Sequence, residues 1–134
     1  MTDWTAKLNA NPEPVVRPMP KARIGLRKGD LCLLPSARLV DDFIRAIPKG
    51  KSVSLPELRT TLARRHKAAG TCPVHLGYHL RTVAEAACEA RDRGAPLRSI
   101  TPVWRVLAPD ALTLNKLSPG NAAWINERRA QEGL

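Results

Sequence analysis

Aromatic side chains are scarce in this chain: three Trp, one Tyr and one Phe amount to 4% of its 134 residues. A core must therefore be assembled from Leu, Val, Ile and Ala, packed by close interdigitation instead of around large anchors. No run approaches the roughly 18 consecutive apolar residues of a membrane-spanning helix, which argues against a helical span. The first residues, MTDWTAKLNANPEPVV, show no charged start leading into an apolar stretch, so no secretory signal is expected. Cysteine is limited to Cys32, Cys72 and Cys88, an odd number at irregular spacing. That fits reduced thiols in a cytosolic protein better than a disulfide framework. Cys72 and His75 offer two potential zinc ligands without a second pair, so neither a metal nor another cofactor is expected.

Acidic residues are also few, 12 Asp and Glu against 22 Lys and Arg, for a formal charge of +10. The excess is uneven. Between Arg38 and Lys67 lie eight basic residues and only three acidic ones, Asp41, Asp42 and Glu57. A surface of this sign concentrates polyanions and binds them in a salt-dependent way, which makes nucleic acid the leading partner. The length suits one domain, and 43% hydrophobic with 25% charged residues is ordinary for a globular protein.

Residues 1–35 hold five prolines and little periodicity, and read as an extended arm that wraps a core. Trp4 and Leu8 form an i, i+4 apolar pair that could pin its start as a helical turn. The basic stretch KARIGLRKGD within it could reach toward phosphates. Ser36 is a suitable N-cap for a first helix carrying Leu39, Val40, Phe43, Ile44 and Ile47. Ser54 and Glu57 make a capping box for a second helix, with Pro56 in its first turn and Gly70 closing it. A third helix starts at Thr71 or Cys72, buries Leu76, Leu80, Val83, Ala84 and Ala87, and stops at Gly94. The second and third helices are a helix-turn-helix candidate. VWRVL and ALTL, separated by Ala108-Pro109-Asp110, predict a small hairpin beside them, in the position of a wing. Asn121 to Gln131 reads as a last helix with Trp124, Ile125 and Arg128 on one side.

Taken in order, IPKGKSVSLPEL, LRTVAEAA, TPVWRVL and LNKLSPGNAAW resemble four anchors of one family, the DNA-binding domain of the alkylguanine-DNA alkyltransferases and their alkyltransferase-like relatives. They are similar to the family's I-P-x-G-x-V-x-S/T-Y-x-x-L, R-x-V-G-x-A, P-C-H-R-V and N-Y-S-G-G segments, and the match spans about residues 47–131. The resemblance implies a mainly α fold with a small β-hairpin, a winged helix-turn-helix-like domain at 36–134 preceded by the proline-rich arm at 1–35. It also implies double-stranded DNA and repair proteins as partners, and a monomer located in the cytoplasm with the nucleoid.

In the family a Cys, activated by a neighbouring His through water and a Glu, takes the alkyl group from the damaged base as a thiolate. Here the Cys position is Val103 and the His position is Trp104. A valine cannot attack carbon and an indole N–H only donates, so this motif performs no alkyl transfer. Alkyltransferase-like proteins usually place Trp at the Cys position and keep the His, a pattern from which this chain also departs. The resemblance makes Pro102, Val103, Trp104 and Ser118 the wall of a lesion pocket. Trp104 either stacks there on an extruded base or belongs to the core.

Arg81 falls on the family's arginine finger, which fills the stack when a nucleotide is flipped out. The family's helix-entering Tyr is Leu55 here, and its small residues are Ala84 and Glu85, a carboxylate that either opposes phosphate or pairs with Arg81. Tyr78 and His79 are alternative contacts for stacking or phosphate, and Lys49, Lys51, Arg59 and Arg105 are the expected phosphate ligands. Three other readings stay open. One is a general DNA-binding or regulatory module, and another is a protein-interaction domain with a vestigial DNA surface. The third is an enzyme using Cys72, which lies at a helix N-terminus with His75 three residues on.

Overall fold

The computed structural model describes residues 2–134. Its elements are α1 (Trp4–Asn9), β1 (Val15–Pro18), β2 (Leu31–Leu34), α2 (Ala37–Arg45), α3 (Leu55–Arg65), β3 (Gly70–Thr71), α4 (Pro73–Asp92) and α5 (Asn121–Gln131). Three short 3₁₀ segments, Leu97–Ser99, Val103–Arg105 and Leu112–Lys116, lie between α4 and α5. The chain is thus mainly α with a small β component. Among the described residues no helix is long and apolar enough to cross a membrane.

Local chemistry sets most helix boundaries. Ser36 Oγ accepts from the Leu39 N–H at 3.1 Å and donates to the Pro12 carbonyl at 2.7 Å, so one hydroxyl starts α2 and ties down the preceding segment. Ser54 Oγ accepts from the Glu57 N–H at 3.2 Å and starts α3. α4 begins at Pro73, where the missing N–H is not needed, and ends before Gly94, whose φ of +81° suits a left-handed cap. Leu76, Leu80, Val83, Ala84 and Ala87 are all buried, as their spacing predicts, and the burial of α4 is continuous from Thr82 to Cys88. Around it pack Leu33, Val40, Ile44, Leu58, Leu62, Trp104, Leu107 and Ile125.

Three expectations need correction. The wing hairpin does not form at residues 103–114, where both apolar runs are 3₁₀ turns. Val103, Trp104, Val106 and Leu107 are all buried, and the N–H groups of Val106 and Leu107 both return to the Val103 carbonyl, so they join no strand ladder. The hairpin lies instead in the arm, which is not merely extended: β1 pairs antiparallel with β2, from Val15 opposite Leu34 to Pro18 opposite Leu31. β2 in turn pairs parallel with β3, and Leu8, Met19, Cys32 and Leu33 of this region are buried. The second helix stops at Arg65, short of Gly70, and the link from α3 to α4 is a turn followed by the two-residue strand β3.

The arm is bolted to α4 by a carboxylate. Glu89 accepts from the N–H groups of Trp4 (3.1 Å) and Thr5 (3.2 Å) and from Thr5 Oγ1 (2.7 Å), satisfying the first turn of α1 from across the fold. Asp41 plays the same part for α2: its side chain is 1% exposed and accepts from Arg38, from Arg45 Nε at 2.8 Å and from Thr101 Oγ1 at 2.5 Å. Removing one member of a buried charged network strands the others. Asp41→Ala is therefore expected to lower unfolding free energy by about 3–5 kcal/mol. Asp42→Ala, at a 63% exposed side chain, should cost about 1 kcal/mol or less; denaturant unfolding of both variants measures the contrast.

Candidate nucleic-acid interface

The exposed part of α4 is its N-terminal half. Val74, His75, Tyr78 and Arg81 follow one another at helical spacing and face solvent, whereas Thr82 onward is buried. α1 lies along this face and makes it cationic and aromatic together. Lys7 Nζ sits 5.0 Å from the Trp4 ring centre and 4.8 Å from that of Tyr78, and the Arg81 guanidinium lies 5.3 Å from Trp4. Arg81 is exposed and in no ion pair among the described residues. His79 is half-buried, and burial, with His75 and Lys7 nearby, holds its pKa below the ordinary value. Stacking surfaces beside cations are what flipped bases and phosphates require.

Glu85 does not face phosphate and does not pair with Arg81. It is 2% exposed and turns inward, accepting from Ser118 N (2.9 Å), Ser118 Oγ (2.6 Å) and Asn121 Nδ2 (3.0 Å). Burial opposes its charge, but those hydrogen bonds prevail and its pKa lies below the ordinary carboxylate value. Ser118 is thereby an anchor of the segment leading into α5, with its hydroxyl committed to Glu85.

The positions matched to the reactive pair are closed. Val103 is fully buried and Trp104 is 2% exposed. The Trp104 ring meets Trp124 edge-on at 5.6 Å between centres, with the guanidinium groups of Arg105 and Arg128 within 5.9 and 6.0 Å of it. Its indole N–H donates to Glu132 Oε2 at 2.6 Å. Arg105, expected to contact phosphate, is instead internal. Its Nε and Nη2 donate to Glu132 at 3.0 and 2.9 Å, and its Nη1 donates to the Ile47 carbonyl at 2.7 Å. The Gly50 N–H adds another bond to Glu132 at 3.0 Å. Burial disfavours the Glu132 charge, yet these donors bring its pKa from 4.5 to about 2.

The four residues expected to wall a lesion pocket therefore do not share a cavity. Pro102 and Trp104 border one of about 490 Å³ that also meets Arg45, Lys49, Arg98 and Arg128, while Val103 and Ser118 lie elsewhere. Lys49 and Lys51 are exposed on the loop that Glu132 holds through Gly50, apart from the Tyr78–Arg81 face. Arg59 lies on α3, partly buried, and borders a different groove. Glu132 escaped the sequence reading because it lies 27 residues from Arg105 and no local pattern links them.

The structure does bring Cys72 and His75 together, with Sγ 3.1 Å from Nδ1 at the start of α4, and no third metal ligand joins them among the described residues. Cys32 and Cys88 are buried; burial, with Cys72 nearby, raises the Cys32 thiol, and burial pushes that of Cys88 up to about 12. Compared with known proteins, this chain matches no family model, no curated protein and no solved structure.

Two outcomes follow from these environments. A thiol reagent applied to the native protein should label Cys72 fast and the two buried thiols only on unfolding, and Cys72→Ser should remove the fast phase. Because the folded pKa of Glu132 is depressed, its contribution to stability is complete above pH 4.5 and is lost as pH falls toward 2. Glu132→Gln should flatten that acid limb in denaturant unfolding measured across the same pH range, alongside an overall loss of stability.

Proposed function

We propose that this chain is a non-catalytic, alkyltransferase-like DNA-binding protein that engages duplex DNA through the helix-turn-helix-like pair α3 and α4. The observation that carries this reading is the exposed, unpaired Arg81 beside Tyr78, Trp4 and Lys7 on the first half of α4. Only five of the 22 Lys and Arg side chains (Arg38, Arg45, Arg91, Arg93 and Arg105) are in ion pairs among the described residues. Most of the remainder are exposed and present positive charge to a polyanion. The reading assigns no bond-making step to the chain. Val103 supplies no nucleophile, and Glu132, satisfied by Trp104, Arg105 and Gly50, is no free base.

Within this reading Arg81 leaves the Trp4 ring to fill the gap left by a flipped nucleotide, and the alkylated guanine is sensed as the base easiest to unstack. A second reading keeps DNA binding and drops the lesion. The burial of Val103 and the edge-on cover of Trp124 on Trp104 favour it, because the position matched to the nucleophile is closed to an extruded base although Pro102 and Trp104 border a cavity. In either case the chain acts by binding and recruits other repair or regulatory proteins.

Two matched duplexes, one with guanine alkylated on its exocyclic oxygen, separate the readings in a salt series. Tighter binding to the lesion supports sensing, equal and salt-sensitive binding supports the general module, and no binding to either overturns both. Arg81→Ala should weaken duplex binding about tenfold, the loss of one well-placed contact of about 1.4 kcal/mol. Arg93→Ala, at the far end of the same helix and already paired with Glu89 at 3.1 Å, should leave affinity within about twofold. Equal effects of the two would remove the finger role.

A further inference from the structure

The connection between β1 and β2 ends in a tight two-residue turn. Arg23 and Leu26 exchange backbone hydrogen bonds of 3.0 and 2.9 Å, and the residues between them, Ile24 and Gly25, have φ of +52° and +78°. Glycine adopts that conformation freely, but a β-branched residue there is strained. Ile24 is nevertheless 41% exposed, so its own burial does not repay the strain. The tip is held in place by Leu26, which packs so closely on β3 that a Cβ at Gly70 would sit 3.2 Å from its methyl carbons. The turn thus stands as a fixed wall facing α3, and between them runs an open groove of about 650 Å³.

The groove is cationic on one side and largely apolar on the other. Arg59 and Arg64 of α3 and Lys67 just beyond its end face Ile24, Gly25 and Leu26 across it, and Lys21, Arg23, Arg27 and Lys28 flank the tip in sequence. None of these seven is in an ion pair among the described residues. The nearest acidic residue in the loop, Asp30, is occupied by the Arg27 N–H at 2.8 Å. Arg59 Nε is buried without any acceptor, although a buried guanidinium donor normally has one. A groove with guanidinium and ammonium groups along one wall is complementary to a chain of phosphates. A single phosphate would meet only a fraction of these groups, whereas a phosphodiester backbone would run past all three and along the turn.

We propose that the groove between the Arg23–Leu26 turn and α3 binds the phosphodiester backbone of DNA. Arg59, Arg64 and Lys67 are its ligands on one side, and the turn with Ile24 is its other wall. The inference rests on the DNA binding proposed above and extends the contact to the arm, a part of the chain outside the family resemblance.

The test compares the full-length protein with the double variant Arg64→Gln/Lys67→Gln and with Arg59→Gln, on an unmodified duplex between about 50 and 200 mM salt. Arg64 and Lys67 are exposed, and circular dichroism checks that each variant, Arg59→Gln included, is folded. The double variant should bind about tenfold or more weakly at the low-salt end, with the slope of log affinity against log salt reduced by about 2. Arg59→Gln should weaken binding as well. Wild-type binding with the double variant within about twofold of it at an unchanged slope overturns the groove and leaves the proposed function standing. Failure of the wild type to bind any duplex overturns the proposed function, and the groove with it. A double variant that loses binding to phosphatidylserine vesicles while keeping its affinity for DNA overturns the groove as a DNA site.

Discussion

Seven consecutive residues of α4, Thr82 to Cys88, have no solvent-facing side, and the remaining elements are arranged to cover them. The helix tolerates this because the stretch is rich in Ala and other small side chains, which let neighbours approach closely on every side. Its cost is Glu85, a carboxylate in the middle of the buried run, which must be hydrogen-bonded to be tolerated there. Ser118 and Asn121 meet that need, and in doing so they determine where α5 begins and how it crosses α4.

The same device recurs. Asp41 holds α2 to the loop at Thr101, Glu89 holds α1 to α4, and Glu132 gathers Trp104, Arg105 and the loop at Gly50. Four of the 12 acidic residues are thereby spent on internal anchoring. Three of these acids hold arginines with them, Arg38 and Arg45 at Asp41, Arg93 at Glu89 and Arg105 at Glu132, so the exterior keeps the positive sign of the whole chain. The carboxylates that stabilise the fold are the ones withdrawn from competition with phosphate.

The segment resembling an active-site motif illustrates the point. Pro102, Val103, Trp104 and Arg105 form a tight turn in the core, and their polar atoms are consumed by Glu132 and by the Ile47 carbonyl. Chemistry at such a motif needs a group with a free lone pair or an exchangeable proton facing an open cavity. Here the one carboxylate is fully coordinated by donors and the residue at the reactive position is an aliphatic side chain.

Much of the helical framework was legible in the sequence, since caps and periodicity are local. Ser36 and Ser54 start α2 and α3, Pro73 and Gly94 bracket α4, and Asn121–Gln131 is α5, all set by hydrogen bonds within a few residues or by backbone conformation. The apolar face of α4 followed from spacing alone. Only tertiary structure decided the rest. β1 is exposed along its whole length and so shows no alternation, and its pairing with β2 crosses the irregular connection 19–30. The run at 103–107 looked like a strand because apolar residues in a short stretch suit either a strand or a buried turn, and partners distant in sequence selected the turn. Arg105, Glu85 and Ser118 were assigned outward roles from their positions in a pattern. Their partners, 27 and 33 residues away, turned them inward, since a buried charge takes the nearest donor or acceptor in space, wherever that lies in the chain.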